Sequence, residues 1–407
     1  MLTGSYSQIL SIPSFRNFWV GFTLSSVGDG ITLVALNWYV WETTQSPQAL
    51  GLLAFFYTGP VVIGGFLAGW LLDRFDRRKV ILIDNLLRGT IMLSIPLLHL
   101  LGWLQIWHIY VVVAFYGSMM MISLAGGPSL VPSLVEPRFL NTANALETFS
   151  FTLGSVLGPP LAGILIGFLA APNVVLIDAL TYFAFAFLLS RVRSSIPEGM
   201  NDQIKEDTPN LSYMQSVRLF IQDKVLLSTT LMFMAVNVGF GFAIVWLPVY
   251  ADQTLSGGAQ LYGLLLGAIA AGQVLTAFLA GLVTLSITLG FSIALTQLVA
   301  GLAFLPLLLG PQRWLAFLSL TIYGLSTGPL TVWAQTLRMK IIPPELRGRT
   351  FALLRTIMMS GHPIGGLIAG GLLPLIGLPA MILLSALLTG IPGLLGTQVR
   401  ALRQSDG

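Results

Sequence analysis

The sequence predicts an all-α polytopic membrane protein, with twelve transmembrane helices arranged as two six-helix bundles. Three observations predict it. The chain is 55% apolar and 9% charged, against about 25% charge in a soluble domain. It divides into apolar runs long enough to span, and a spanning helix needs about 20 mainly apolar residues because each backbone N–H and C=O must be satisfied within the segment. Its two halves also repeat one another. From Val225 to Gln312 the one charged residue is Asp252, so several spans must sit in that stretch. Runs this continuous exclude an outer-membrane barrel, whose strands alternate over about ten residues.

Apolar runs read against Pro, Gly and charge breaks give the spans in order. The first half holds 18–41, 48–72, 79–101, 106–128, 139–169 and 172–190, and the second holds 225–250, 259–283, 286–309, 313–337, 348–374 and 377–397. The first follows the polar start "MLTGSYSQILSIPSFRNFW" and is long enough to cross, so it reads as a retained helix and not as a cleaved signal. Asp73 to Lys79, seven residues with six charges, parts the second from the third. The polar segment 191–224 parts the sixth from the seventh, which predicts bundles at 1–190 and 225–407 joined by a cytoplasmic linker with a surface helix from Leu211 to Gln222. Between the eighth and ninth spans only Thr284, Leu285 and Ser286 offer a turn.

Lys and Arg placement orients this array. With the N-terminus inside, the inner connections hold Arg16, Arg74, Arg77, Arg78, Lys79, Arg138, Arg191, Arg193, Lys205, Arg218, Lys224, Arg338, Lys340, Arg347 and Arg349, with Arg400 and Arg403 at the tail. The outer connections hold Arg313 alone. The positive-inside rule then predicts both termini cytoplasmic, in a multi-pass cell (inner) membrane protein. The net charge of +4 is thus spent on topology, and no nucleic-acid partner is expected. With no Cys there is neither a disulfide nor a thiolate metal site.

The repeat is internal to the chain. "GSVLGPPLAGIL" (Gly154–Leu165) and "GHPIGGLIAGGL" (Gly361–Leu372) superpose at an offset of 207. "GLL" at Gly51 and Gly263, and "FLAG" at Phe66 and Phe278, share an offset of 212. The second span therefore corresponds to the eighth and the fifth to the eleventh. Two halves repeated in parallel around a central loop are the architecture of rocking transporters with a midplane site.

At these motifs the chain resembles the major facilitator superfamily over almost its whole length. "GWLLDRFDRRK" is similar to that family's signature between the second and third helices. Gly69, Asp73, Arg74, Arg77 and Arg78 fill the pattern, and Asp76 stands where it has a second Gly that would admit positive φ. The resemblance implies a cytoplasmic gate here, latched to neighbouring helices including the eleventh when the transporter faces outward. "GSVLGPPLAG", with Gly154, Gly158, Pro159 and Gly163, is similar to the Gly-Pro motif of antiporters, although its glycines would serve close helix packing equally well. "SSVGDGITLVALNWYVWETTQSP" and "ELRGRTFAL" look like the exporter branch that holds macrolide-efflux and enterobactin-exporter proteins. One departure stands out: Ile106 to Pro128 contains no Lys or Arg, whereas many proton-coupled drug antiporters of the family carry an Arg in the fourth helix.

An ionisable group inside a membrane costs at least about 2.5–3.5 kcal/mol, so it faces the bundle interior and finds a partner. Asp29, flanked by Gly28 and Gly30 at mid-depth of the first span, reads as a proton or substrate group, or else as a structural carboxylate. Asp84 and Arg88 lie four apart on one helix face and can pair; they read either as a fixed structural ion pair or as part of the preferred network, in which Arg88 bridges Asp84 and Asp29. Asp178 reads as structural, and Glu42 and Glu147 as helix-end groups satisfied by water or a cap. The second half reads as almost free of intramembrane charge. Its cavity candidates are Asn237, Trp246, Gln273, Gln297, Tyr323, Trp333 and Gln335, joined by Asn37 from the first half.

The expected function is secondary export of an amphipathic small molecule by alternating access, with proton antiport, in a monomer embedded in the lipid bilayer. An importer, a uniporter or a lipid mover of the same fold is the alternative, and a non-transporting receptor or scaffold a remoter one. Neither a cofactor nor a metal is expected. His99, His108 and His362 form no ligand cluster, no Walker loop or HExxH occurs, and no enzymatic activity is expected.

Overall fold

The computed structural model describes residues 2–192, 213–280 and 287–405. Two sequence-based expectations fall outside them: most of the linker, with Arg193 and Lys205, and the turn at Thr284, Leu285 and Ser286. The described residues form helices α1 (Leu2–Leu10), α2 (Pro13–Thr44), α3 (Pro47–Arg74), α4 (Arg77–Leu100), α5 (Ile106–Leu130), α6 (Leu140–Ile166), α7 (Ala171–Ser190) and α8 (Tyr213–Gln222). They continue with α9 (Lys224–Val249), α10 (Gly258–Ala280), α11 (Leu289–Leu302), α12 (Arg313–Ile341), α13 (Arg347–Met359), α14 (Gly361–Gly396) and α15 (Arg400–Arg403).

Eleven helical stretches among the described residues are long and apolar enough to cross a membrane. The last, Arg349–Gly396, has 48 residues, roughly 70 Å at helical rise and about twice a hydrocarbon core. It is divided inside α14 at Gly377, whose φ of 76° and ψ of 168° lie outside the helical region. Pro374 and Pro379 flank that kink and remove two backbone donors. The two limbs are the eleventh and twelfth spans, parted where the sequence parts them. Polar side chains set other starts: Asp76 caps α4 by accepting from Lys79 N at 2.8 Å, and Asp223 caps α9 by accepting from Val225 N and Leu226 N.

Contacts divide the chain into two compact units. One comprises Met1–Gln45, Phe56–Ile204 and Ala259–Gly267, and the other Ser46–Phe55, Lys205–Gly258 and Ala268–Gly407. In the first, α2 packs on α6 and α7, and α4 on α7 and α5. The second repeats the scheme, with α9 on α13 and α14, and α11 on α14 and α12.

Glycines at matching positions allow these close approaches. A Cβ on Gly154 would meet Ser26 O at 2.2 Å and one on Gly158 would meet Gly30 Cα at 2.6 Å, so α6 and α2 touch backbone to backbone. In the second unit Gly361 faces Met234 O and Gly365 faces Val238 O, at 2.6 and 2.4 Å on the same measure. Further along, Gly263 lies against Pro159 and Gly163, and Gly370 lies against Gly51. The offsets of 207 and 212 read in the sequence are thus the offsets of equivalent packing contacts.

Candidate functional site

The first unit holds a chain of polar side chains through apolar helices. Asp29 projects from α2 beside Gly30, which packs on Gly154 and Gly158 of α6. Tyr116 of α5 donates to its Oδ1 at 2.9 Å, and Tyr182 of α7 donates to the same oxygen. Oδ2 accepts nothing among the described residues, and Asp29 keeps part of its surface exposed. Arg88 of α4 donates to the Tyr182 hydroxyl at 3.2 Å, to Asp84 Oδ2 at 2.5 Å and to Ser123 of α5. Its guanidinium also lies 4.6 Å from the centre of the Tyr182 ring and 5.8 Å from that of Tyr116. Arg88 and Asp84 are each 2% exposed.

The expected bridge is therefore indirect. Arg88 pairs with Asp84 and reaches Asp29 through the Tyr182 hydroxyl, which accepts from the guanidinium while it donates to the carboxylate. Asp178 of α7 is fully buried, accepting from Thr32 at 2.6 Å and from Thr181 at 3.3 Å, and it backs onto Gly28. Asp29, Asp84, Asp178 and the Arg88 guanidinium thus lie together inside the unit, and Asp29 Oδ2 is left without a donor among the described residues. Glu147 departs from expectation: it is 5% exposed on the second turn of α6, with Oε1 unpartnered.

The signature residues after α3 separate into two groups. Gly69, Asp73 and Arg74 are exposed, with Arg74 placed 5.8 Å from the centre of the Trp70 ring. Arg77 instead donates to Ser129 O of α5 at 2.8 Å, and Arg78 to Leu189 O and Ser190 O of α7 at 3.0 and 2.5 Å. Both neutralise the carbonyl-rich, partially negative C-terminus of a neighbouring helix. Asp76 adopts φ −57° as the cap of α4, so no positive φ is needed where the signature has Gly.

In the second unit a cavity of ≈ 640 Å³ is lined by Asn237, Gln273, Tyr323 and Gln335. The remaining candidates sit elsewhere. Trp246 is fully buried, donating to Ser385 Oγ at 2.9 Å. Gln297, also buried, donates to Met232 O and Thr389 O. Trp333 packs against the cluster around Leu330, Leu337 and Leu402, and Asn37 bonds Leu33 O within α2. Two cations, Arg338 and Arg355, also line the cavity beside His362, more charge than the sequence leads one to expect there. Arg338 reads as a loop charge in sequence, yet α12 continues to Ile341 and buries it to 4% exposure. Arg355 lies within α13.

Comparison with known proteins agrees with this architecture. Residues 18–366 match the model of the Major Facilitator Superfamily. The chain is 26% identical over 375 residues to enterobactin exporter EntS of Salmonella typhi, covering 90% of this chain and 87% of the relative. It is 24% identical over 397 residues to the multidrug efflux pump Tap of Mycolicibacterium fortuitum, covering 94% of each. Its fold is similar to the crystal structure of the nucleoside transporter NupG, with a TM-score of 0.76 at 13% identity over 94% of this chain and 98% of that one. With its repeated helix contacts, and with a family model covering most of its length, the chain belongs to the Major Facilitator Superfamily.

Proposed function

We propose that this multi-pass membrane protein is a secondary exporter, moving an amphipathic small molecule outward across the cell (inner) membrane in exchange for protons by alternating access. The observation that carries the coupling is the Asp29–Tyr182–Arg88–Asp84 chain. A carboxyl with one oxygen held by two phenols and the other open can bind and release a proton while its neighbours stay in place. Arg88, on α4, supplies the cation that the fourth span lacks. Exporter-type relatives support the outward direction, and Lys/Arg placement supports cytoplasmic termini. Asp73, exposed at the end of α3, would serve the gate, whereas Arg77 and Arg78 would hold the helices around it.

The test is reconstitution. A panel of drugs, siderophores and lipids, screened by efflux in cells lacking their own exporters, supplies a substrate; its flux is then followed in liposomes. Flux that stops when an ionophore collapses the pH gradient is the expected outcome. Flux indifferent to the gradient would replace antiport by facilitation, and no flux of any compound would remove transport altogether.

A further inference from the structure

The cavity of the second unit has a charge that no described residue of its wall balances. None of the described residues lining it is acidic, yet Arg338 and Arg355 both reach it. Arg338 is 4% exposed, and its contacts are of a particular kind. Its Nη2 lies 3.2 Å from Met358 Sδ, its guanidinium is 5.0 Å from the centre of the Phe233 ring, and its Nε has no partner. A thioether and a ring face hold a cation in place without neutralising it. Removing a charge from water costs several kcal/mol unless an opposite charge returns it. Arg355, one helix over on α13, is exposed to the same space and ion-pairs with nothing among the described residues.

The rest of the wall is of a different nature. Phe240 lies about two turns, roughly 10 Å at the helical rise per residue, along α9 from Phe233, whose ring faces the Arg338 guanidinium. There Phe240 stacks parallel to Tyr323, with centroids 6.2 Å apart, and meets the His362 ring edge-on at 5.6 Å. The cavity is thus cationic at one end and aromatic at the other, with amides and hydroxyls between, such as Gln273, which donates to Thr327 at 3.1 Å.

We propose that this cavity binds an aromatic amphipathic anion, its acidic group (carboxylate, sulfonate or phosphate) between Arg338 and Arg355 and its ring system against Phe240 and Tyr323. The inference rests on the export reading in taking the bound molecule to be the exported one. Guanidinium groups suit it because their planar donor forks bind such oxyanions in pairs of hydrogen bonds. Anionic lipid headgroups share that chemistry, so the experiment separates the two sources.

Equilibrium binding of pyrenebutyrate and of its neutral isostere pyrenebutanol is measured on the full-length protein in nanodiscs of zwitterionic lipid, with empty nanodiscs subtracted. No transport is needed, so this result and the flux result can fail independently. Wild type should prefer the anion by about tenfold or more, the worth of one charge-assisted pair. Arg355→Gln, at an exposed position that spares folding, should lose most of that preference while keeping pyrenebutanol affinity. Arg338→Lys should retain part of the preference, and Arg338→Gln should abolish it. Equal affinity for the two probes, no saturable binding of either, or an Arg355→Gln variant indistinguishable from wild type would overturn the proposal. So would native mass spectrometry showing an anionic phospholipid bound to wild type, lost from Arg355→Gln, and not displaced by pyrenebutyrate.

Discussion

On the proposed mechanism Asp29 carries the proton, with two phenols fixing one of its oxygens and the other left open. Tyr182 matters more than Tyr116 on this view, since it alone also accepts from Arg88. Tyr182→Phe removes a hydrogen bond to a charged group, worth about 1.5–3 kcal/mol, and should lower gradient-driven flux in liposomes by about tenfold or more without preventing insertion. Unchanged flux would show that the hydroxyl is a bystander. The acids and Arg88 are legible in the sequence because charge is conspicuous in an apolar helix. The tyrosines are not, since an aromatic side chain in a span is by default a packing group, and only the meeting of α2, α5 and α7 gives these two a role. Arg338 escapes for the opposite reason: a cation one residue past an apolar run looks like a loop charge until α12 is seen to continue.

Among the elements, the charged turn after α3 divides its work. Arg77 and Arg78 close the C-termini of α5 and α7, while Asp73 stands exposed. Arg78→Ala should therefore lower thermal stability by about 1–3 kcal/mol, read as the loss of monodisperse protein on heating. Asp73→Ala should change stability by less than about 0.5 kcal/mol and act on transport rate instead. A stability loss for Asp73→Ala equal to that of Arg78→Ala would merge the two roles. The glycines of α6 carry a similar prediction. Gly158→Ala forces α2 and α6 apart at a backbone contact and should destabilise by about 1–3 kcal/mol, as should Gly365→Ala at the equivalent α14–α9 contact. Tolerance of both in a melting assay would contradict the close approach. The Gly pattern is plain in the sequence but its partners are not, since a small-residue stripe does not say which helix it meets.

The whole molecule is a repeat whose halves have diverged in chemistry. Helix count, the break near Gly377 and the pairing of equivalent segments are all legible in the amino-acid sequence, because lipid imposes long apolar runs and a duplicated fold keeps its close contacts. The polarity of the second unit is not, since it depends on where α12 and α13 carry Arg338 and Arg355 in space. On the proposed mechanism the first unit handles protons and the second holds the substrate's charge. Everything in that division of labour depends on Asp29 coupling transport to the proton gradient. The decisive comparison is between wild type and Asp29→Asn in proteoliposomes, measuring substrate uptake driven by a pH gradient beside substrate exchange at equilibrium. Asp29→Asn should keep exchange within about twofold, since the amide retains the shape and uncoupled binding, and should no longer respond to the gradient. Gradient-driven uptake at the wild-type rate in Asp29→Asn would contradict the coupling role.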